Sequence, residues 1–219
     1  MVKILSDRTE AGKLLANKLK AYANRTDVIV IGLPRGGVVV ASEVAKALNA
    51  SLDVCIVRKL GCPKQPELAM GAIAMDNVKV FNQQVLEEAK ISAGIVELVT
   101  ERERQELERR DRLYRGSRPL PDLQGQIVIL VDDGIATGST LKAAIEIVRQ
   151  QQPKKIVVAV PVAPSSVYQE FKAEVDELIC LRTPEPFHSI SLWYDDFSQT
   201  SDAEVTSLLN EFHLKHQKW

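Results

Sequence analysis

What most constrains this chain is an alternation. Apolar, largely β-branched runs occur at DVIVIG (27–32), SLDVCIVRKL (51–60), QIVILVDD (126–133), KKIVVAVPVA (154–163) and VDELICLR (175–182). Short runs of this kind read as buried strands. The stretches between several of them have helical spacing: GGVVVASEVAKALNA, STLKAAIEIVRQQ and PSSVYQEFKAE. Two more helices bracket the whole. SDRTEAGKLLANKLKAYA has Ser6 or Asp7 as N-cap, and SDAEVTSLLNEFHLK has Ser201 or Asp202. Strands that alternate with helices assemble as a parallel sheet with helices on its faces. The expected fold class is therefore α/β, with a central parallel sheet flanked by helices.

Between the second and third strands the pattern changes. GCPKQPELAMG (61–71) contains two prolines and two glycines and reads as a loop. AIAMDNVKVF reads as two short strands around a turn at Asp76–Asn77, and NQQVLEEAK and AGIVELVTERERQELERRDRLYR as helices. In the longer helix Glu106–Arg110, Glu108–Arg112 and Asp111–Arg115 stand at i,i+4 spacing with the acid first, which predicts a solvated face.

Composition narrows the function classes. A net charge of −1 over 219 residues gives no global field to recruit nucleic acid or an acidic membrane, so any anion site has to be built locally. No apolar run reaches the roughly 18 residues of a membrane span. Three cysteines, Cys55, Cys62 and Cys180, form no CxxC pair, so neither a zinc site nor a disulfide framework is expected and a reducing cytoplasm is the default setting. Cys62, in the expected loop, reads as incidental.

The local anion site is found at IVILVDDGIATGST (127–140). Ligands of parallel sheets bind outside the carboxyl ends of strands, where Asp132 and Asp133 fall. The turn that follows leads into a helix. Gly134 and Gly138 permit close backbone approach, the N–H groups around Ala136 point outward at a helix start, and Thr137, Ser139 and Thr140 add hydroxyls. Two carboxylates beside a phosphate repel it unless something lies between. A phosphorylated ribose resolves the conflict: the acids accept hydrogen bonds from its 2- and 3-hydroxyls while the turn holds its 5-phosphate. Neither GxxxxGK[ST] nor GxGxxG occurs in the chain, so nucleotide-triphosphate and dinucleotide loops are not supported.

ILVDDGIATGST resembles the motif with which type I phosphoribosyltransferases bind 5-phosphoribosyl-1-pyrophosphate (PRPP), with Gly134 where the family usually has an aliphatic residue. The resemblance implies a second anion loop after the first strand, for pyrophosphate, and GLPRGG (32–37) stands there with Arg35, Gly36 and Gly37. Such loops often carry a strained or cis peptide, which is expected near Pro34–Gly36. After the second strand the family places basic residues and a loop that closes over PRPP, matched by Arg58, Lys59 and Lys64. By the same resemblance Asp132, Asp133, Lys59 and Lys64 are the expected catalytic set. PFHSISLWYDDF (186–197) faintly resembles the base-recognition segment of 6-oxopurine enzymes, so Phe187, Trp193 or Tyr194 would stack on a base and Asp196 would contact metal. His188 is a weaker candidate for ligand contact. Ala136 is more like the adenine enzymes, and the two cues conflict over the base.

GLPRGGVVVA, the VRKLG segment and the Asp-Phe ending together resemble a bacterial group of phosphoribosyltransferases over nearly the full chain. The implied organisation is one domain, 1–219, with an insertion about 77–120 and a hood about 183–219. The implied activity is Mg-dependent transfer of phosphoribosyl from PRPP to a nitrogen acceptor, a nucleobase, in nucleotide salvage, by an enzyme that in this family is often a homodimer. The alternative is a PRPP-binding regulator without turnover. An RNA attenuator on the same fold has only the charged helix 101–115 behind it.

Overall fold

The computed structural model describes residues 4–63, 65–75 and 78–216. In chain order the elements are α1 (Arg8–Lys18), β1 (Val28–Gly32), α2 (Gly36–Leu48), β2 (Ser51–Val54), β3 (Arg58–Cys62), β4 (Gln65–Ile73), β5 (Lys79–Phe81), α3 (Gln83–Glu88), α4 (Ala93–Arg115), β6 (Ile127–Val131), α5 (Ser139–Gln150), β7 (Lys155–Val162), α6 (Ser165–Glu174), β8 (Glu177–Arg182) and α7 (Asp202–His216). A 3₁₀ turn, Ile190–Trp193, lies between β8 and α7. Asp7 caps α1 by accepting the Glu10 N–H at 2.7 Å, and the Ser201 hydroxyl accepts the Glu204 N–H at 3.1 Å ahead of α7. No helix among the described residues is long and apolar enough to cross a membrane.

The five expected strands form one sheet, ordered β2-β1-β6-β7-β8, with every pairing parallel. Because side chains alternate across a strand, Val28, Val30, Ile127, Ile129 and Val131 face one core with Val40, Ala41 and Val44 of α2. Ile29, Ile31, Val128 and Leu130 face the other, with Leu141, Ala144 and Ile145 of α5. The chain thus leaves β1 to cover one face and β6 to cover the opposite face. This makes the β1–β6 boundary a topological switch point, where loops diverge and open a crevice.

Three expectations need correction. SLDVCIVRKL is not one strand. Cys55 N–H still bonds Gly32 O at 3.1 Å, but β3 then leaves to pair antiparallel with β4 in a separate sheet, β3-β4-β5. Residues 61–63 and 65–71 are not a loop either: they belong to that β3–β4 hairpin, whose register shifts at Leu60/Gly61 and Gly61/Cys62 take up the irregular residues. Cys62 is therefore buried on β3. The predicted turn residues Asp76 and Asn77 lie outside the described residues.

The third correction concerns α4. Glu106–Arg110 forms at 2.7 Å and Glu108–Arg112 at 3.9 Å, but Arg115 is only 4% exposed. Its guanidinium bonds Asp111, Asp53 Oδ1 (2.8 Å) and the Val54 carbonyl (2.8 Å), so this end of α4 is pinned beneath β2 rather than solvated. A third core, with Val38, Ile56, Leu60, Met70, Leu107, Tyr114 and Leu209, joins the small sheet to α4 and α7.

Candidate active site

The pairing of β1 with β6 ends at Gly32 opposite Val131, so the two following loops start side by side. The Leu33 N–H donates to Val131 O at 2.9 Å and ties them together. The Pro34–Arg35 peptide is cis, within the stretch where the sequence led us to expect one. The backbone then passes so close to the acids that side chains are excluded. A Cβ on Gly36 would stand 1.9 Å from Asp133 Oδ2, and one on Gly37 would stand 2.8 Å from Asp132 Oδ1. Arg35 is half-buried, and its charge is felt at Tyr114, on the α4 side of the loop.

The acids are held from several directions. Asp132 Oδ1 accepts the Asp133 N–H at 2.8 Å, and Asp133 Oδ2 accepts Arg8 Nε at 2.8 Å. Burial, and then the neighbouring Asp133 charge, push the Asp132 carboxyl well above the usual carboxylate range. Burial also raises Asp133, against the opposing pull of Arg8. Arg8 continues outward: Nη1 donates to Ser198 O at 2.8 Å, and the guanidinium lies 3.9 Å from the centroid of the Phe197 ring. The Tyr194 hydroxyl donates to the Asp133 carbonyl at 2.8 Å. Sequence reasoning missed Arg8, which lies 125 residues from its partner and shows no local pattern that marks it.

The turn after the acids opens to solvent. Ala136, Thr137, Ser139 and Thr140 are exposed, and Thr137 Oγ1 stands 3.3 Å from Ser139 Oγ. Gly138 is the cap of α5 at φ 74°, a left-handed conformation, and a Cβ there would meet Phe171 Cε2 at 2.3 Å. First-turn N–H groups of a helix have no carbonyl within it and carry the positive end of its dipole, so this bend can receive a phosphate. Gly134, where an aliphatic residue was expected, is explained by Ile190: a Cβ would come within 2.6 Å of its Cγ2.

Two bends, at 34–37 and 136–140, thus flank a pair of acids at a sheet switch point. Residues 3–191 match the phosphoribosyl transferase domain family. The chain belongs to the phosphoribosyl transferase family. A Mycobacterium tuberculosis protein that carries a provisional phosphoribosyl transferase name is 45% identical over 212 residues, in each of two strains. The match covers 97% of this chain, and the chain spans 48% of the length of those curated relatives. The crystal structure of TT1426 from Thermus thermophilus is 39% identical and superposes with a TM-score of 0.86, over 95% of this chain and 99% of that one. AQ2163 from Aquifex aeolicus, 14% identical over 83% of this chain and 77% of its own, shares the fold at a TM-score of 0.50.

The other candidates of this phosphoribosyl transferase chain divide. Lys59 lines a cavity of about 390 Å³ between the small sheet and α5, together with Ser139 and Lys142, which places it beside the start of α5. Arg58, its neighbour, is turned to α4, where Nε bonds Glu103 at 2.9 Å. Lys64 lies outside the described residues. Phe187 and Trp193 are half-buried and His188 is exposed. Tyr194 is 5% exposed and packs with Leu5 and Ala11, so its ring faces a small core instead of a base; its hydroxyl anchors the Asp133 backbone. Asp196 is exposed, and its carboxylate accepts the Ser198 N–H at 2.8 Å, which holds its pKa below the ordinary aspartate value. Among the described residues no three His, Cys, Asp or Glu side chains are grouped to hold a metal.

Proposed function

We propose that this chain transfers a 5-phosphoribosyl group from PRPP to a ring nitrogen of a nucleobase and releases pyrophosphate. The observation that carries the reading is the contact of Gly36 and Gly37 with Asp133 and Asp132, which supports one continuous site for both ends of PRPP. In this reading Asp132 and Asp133 accept hydrogen bonds from the ribose hydroxyls, and residues 136–140 receive the 5-phosphate. The 34–37 bend, with Arg35, faces the pyrophosphate, and Lys59 from β3 stands on the 5-phosphate side with Ser139. The bond from C1 to the pyrophosphate oxygen breaks with its electron pair leaving on pyrophosphate. The acceptor nitrogen then supplies the pair for the new C–N bond and gives up its proton to the released pyrophosphate. Positive charge grows on the sugar in between, and two fixed carboxylates stabilise it. A magnesium ion carried by PRPP would offset the charge that collects on the leaving group. The donor set fits that role better than a resident metal, since octahedral magnesium is readily completed by substrate oxygens and water.

The reading treats residues 1–219 as one catalytic domain with 183–219 as hood. Trp193 and Phe187 remain the aromatics available to meet a base. The test is incubation with Mg–PRPP and a panel of purine and pyrimidine bases, read by pyrophosphate release. Release with one base and not with the others establishes transfer. PRPP binding without release from any base replaces this reading with a PRPP-responsive regulator, and no binding refutes both.

A further inference from the structure

We propose that Arg8 is a positioning residue for this site: it fixes Asp133 for the sugar diol and ties that carboxylate to the 194–198 segment. The inference rests on the phosphoribosyl reading above and goes beyond it, because it assigns a role to a residue that is far in sequence from every loop that touches PRPP there.

Three contacts use three different parts of one guanidinium. Nε bonds Asp133 Oδ2, Nη1 bonds Ser198 O, both at 2.8 Å, and the flat face covers Phe197 at 3.9 Å. An ammonium group cannot make all three at once, since it lacks the planar fork. The side chains of Arg8 and Asp133 are 11% and 15% exposed, so the pair is shielded and its attraction is poorly screened. Only Oδ2 is engaged by Arg8, which leaves the second carboxylate oxygen for a hydroxyl. Phe197 in turn packs on Tyr194, ring centroids 5.0 Å apart, and Tyr194 holds the Asp133 carbonyl. Backbone and side chain of Asp133 are therefore both gripped by α1 and the 194–198 segment.

The charged and titratable groups that face Asp133 are Arg8 from α1, Asp132 before it and the Tyr194 hydroxyl. Gly36, on the remaining side, contributes no side chain. Of these only Arg8 is a cation. Without it Asp133 would be left half-buried beside a second carboxyl, and its acid form would be favoured. A residue that merely packs α1 would change stability without changing where Asp133 titrates.

The full chain is compared with Arg8→Gln and Arg8→Lys. PRPP binding is measured with magnesium by calorimetry at pH 6 and pH 8, and the ligand-free Asp133 carboxyl is titrated by ¹³C NMR, its resonance assigned through Asp133→Asn. Circular dichroism checks folding, and Arg8→Lys carries the test if the glutamine variant does not fold. The expected result for Arg8→Gln is a loss of PRPP affinity of about tenfold or more at pH 8. The loss is larger at pH 6, and the Asp133 titration moves to higher pH. Arg8→Lys returns the titration to wild type and recovers part of the affinity. An unmoved Asp133 titration in Arg8→Gln, or equal losses in both variants at both pH values, overturns the proposal. If wild type binds no PRPP while the titration still moves with Arg8→Gln, the phosphoribosyl reading falls and the Arg8–Asp133 coupling stands.

Discussion

Asp132→Asn should make the ligand-free protein more stable while it disables the site. The Asp132 side chain is half-buried at the end of β6, next to Asp133, and Arg8 bonds Asp133 directly. Burial and the neighbouring carboxylate raise its pKa, so the charged form is destabilised on folding. Asparagine keeps an oxygen that can accept the Asp133 N–H, now made at 2.8 Å, and removes the charge. Relief of this kind is worth about 0.5–2 kcal/mol. For a chain of this length that raises Tm by about 1–8 °C. The sign with pH follows from the raised folded value. Near pH 4, around the ordinary aspartate value of about 3.9, the carboxyl is largely protonated in the folded state and the substitution gains little. The gain grows as pH rises through the raised folded value, then levels off. PRPP affinity should fall about tenfold to a hundredfold, because a charge-assisted hydrogen bond of about 1.5–3 kcal/mol is lost. Thermal melts at pH 4.5 and pH 8, with PRPP calorimetry at pH 8, test both halves. A Tm at pH 8 that is unchanged or lower, or a gain that is the same at both pH values, refutes the electrostatic reasoning.

Gly36→Ala places a methyl group 1.9 Å from Asp133 Oδ2 and 2.6 Å from Arg8 Nε, so it should cost about 1–3 kcal/mol in denaturant unfolding and weaken PRPP binding in calorimetry. Arg115→Met leaves Asp53 and Asp111 without their buried cation and should lower stability by about 3–5 kcal/mol in urea unfolding, the largest loss among these variants. Glu103→Gln unties Arg58; if Arg58 serves pyrophosphate, Mg–pyrophosphate should bind up to about fivefold more tightly in calorimetry, and no change removes Arg58 from the site.

The five-stranded sheet could be read from the sequence because its three central strands are nearly all apolar and β-branched, a pattern that follows from burial on both faces. The placement of the acids and the turn after them could be read because they are contiguous, and the order of the loops along one sheet brought GLPRGG to them. What failed has equally physical causes. Apolar character continues from Leu52 to Leu60 whether the chain stays in one sheet or leaves for another, so the sequence signal does not mark the break after Val54. Pro63, Gly61 and Gly71 suggest a loop, yet a hairpin with shifted register accommodates them. The i,i+4 rule places Asp111 beside Arg115 but does not say which side of the helix is covered, and here β2 covers it. Tyr194 and Arg8 act across the molecule, and no spacing rule links positions so far apart.

The burial that raises both acids also gives the ligand its leverage. Before PRPP arrives, two carboxyls share a shielded edge with one directly bonded cation, and some of the free energy of folding opposes that arrangement. A sugar diol supplies hydrogen bonds to the charged forms, and a magnesium-bound phosphate ester adds cationic charge nearby. Both effects should draw protons off the acids on binding. Anything that binds the folded state alone stabilises it by mass action, and this ligand would in addition release protons as it does so. Mg–PRPP should therefore raise Tm more at pH 8 than at pH 6, and calorimetry in buffers of different ionisation enthalpy should register net proton release near pH 6. A ligand that merely occupied the two anion bends, such as Mg–pyrophosphate, would raise Tm without the part of this proton release that comes from the diol. If PRPP and pyrophosphate release the same number of protons, the acids are not the groups that read the sugar.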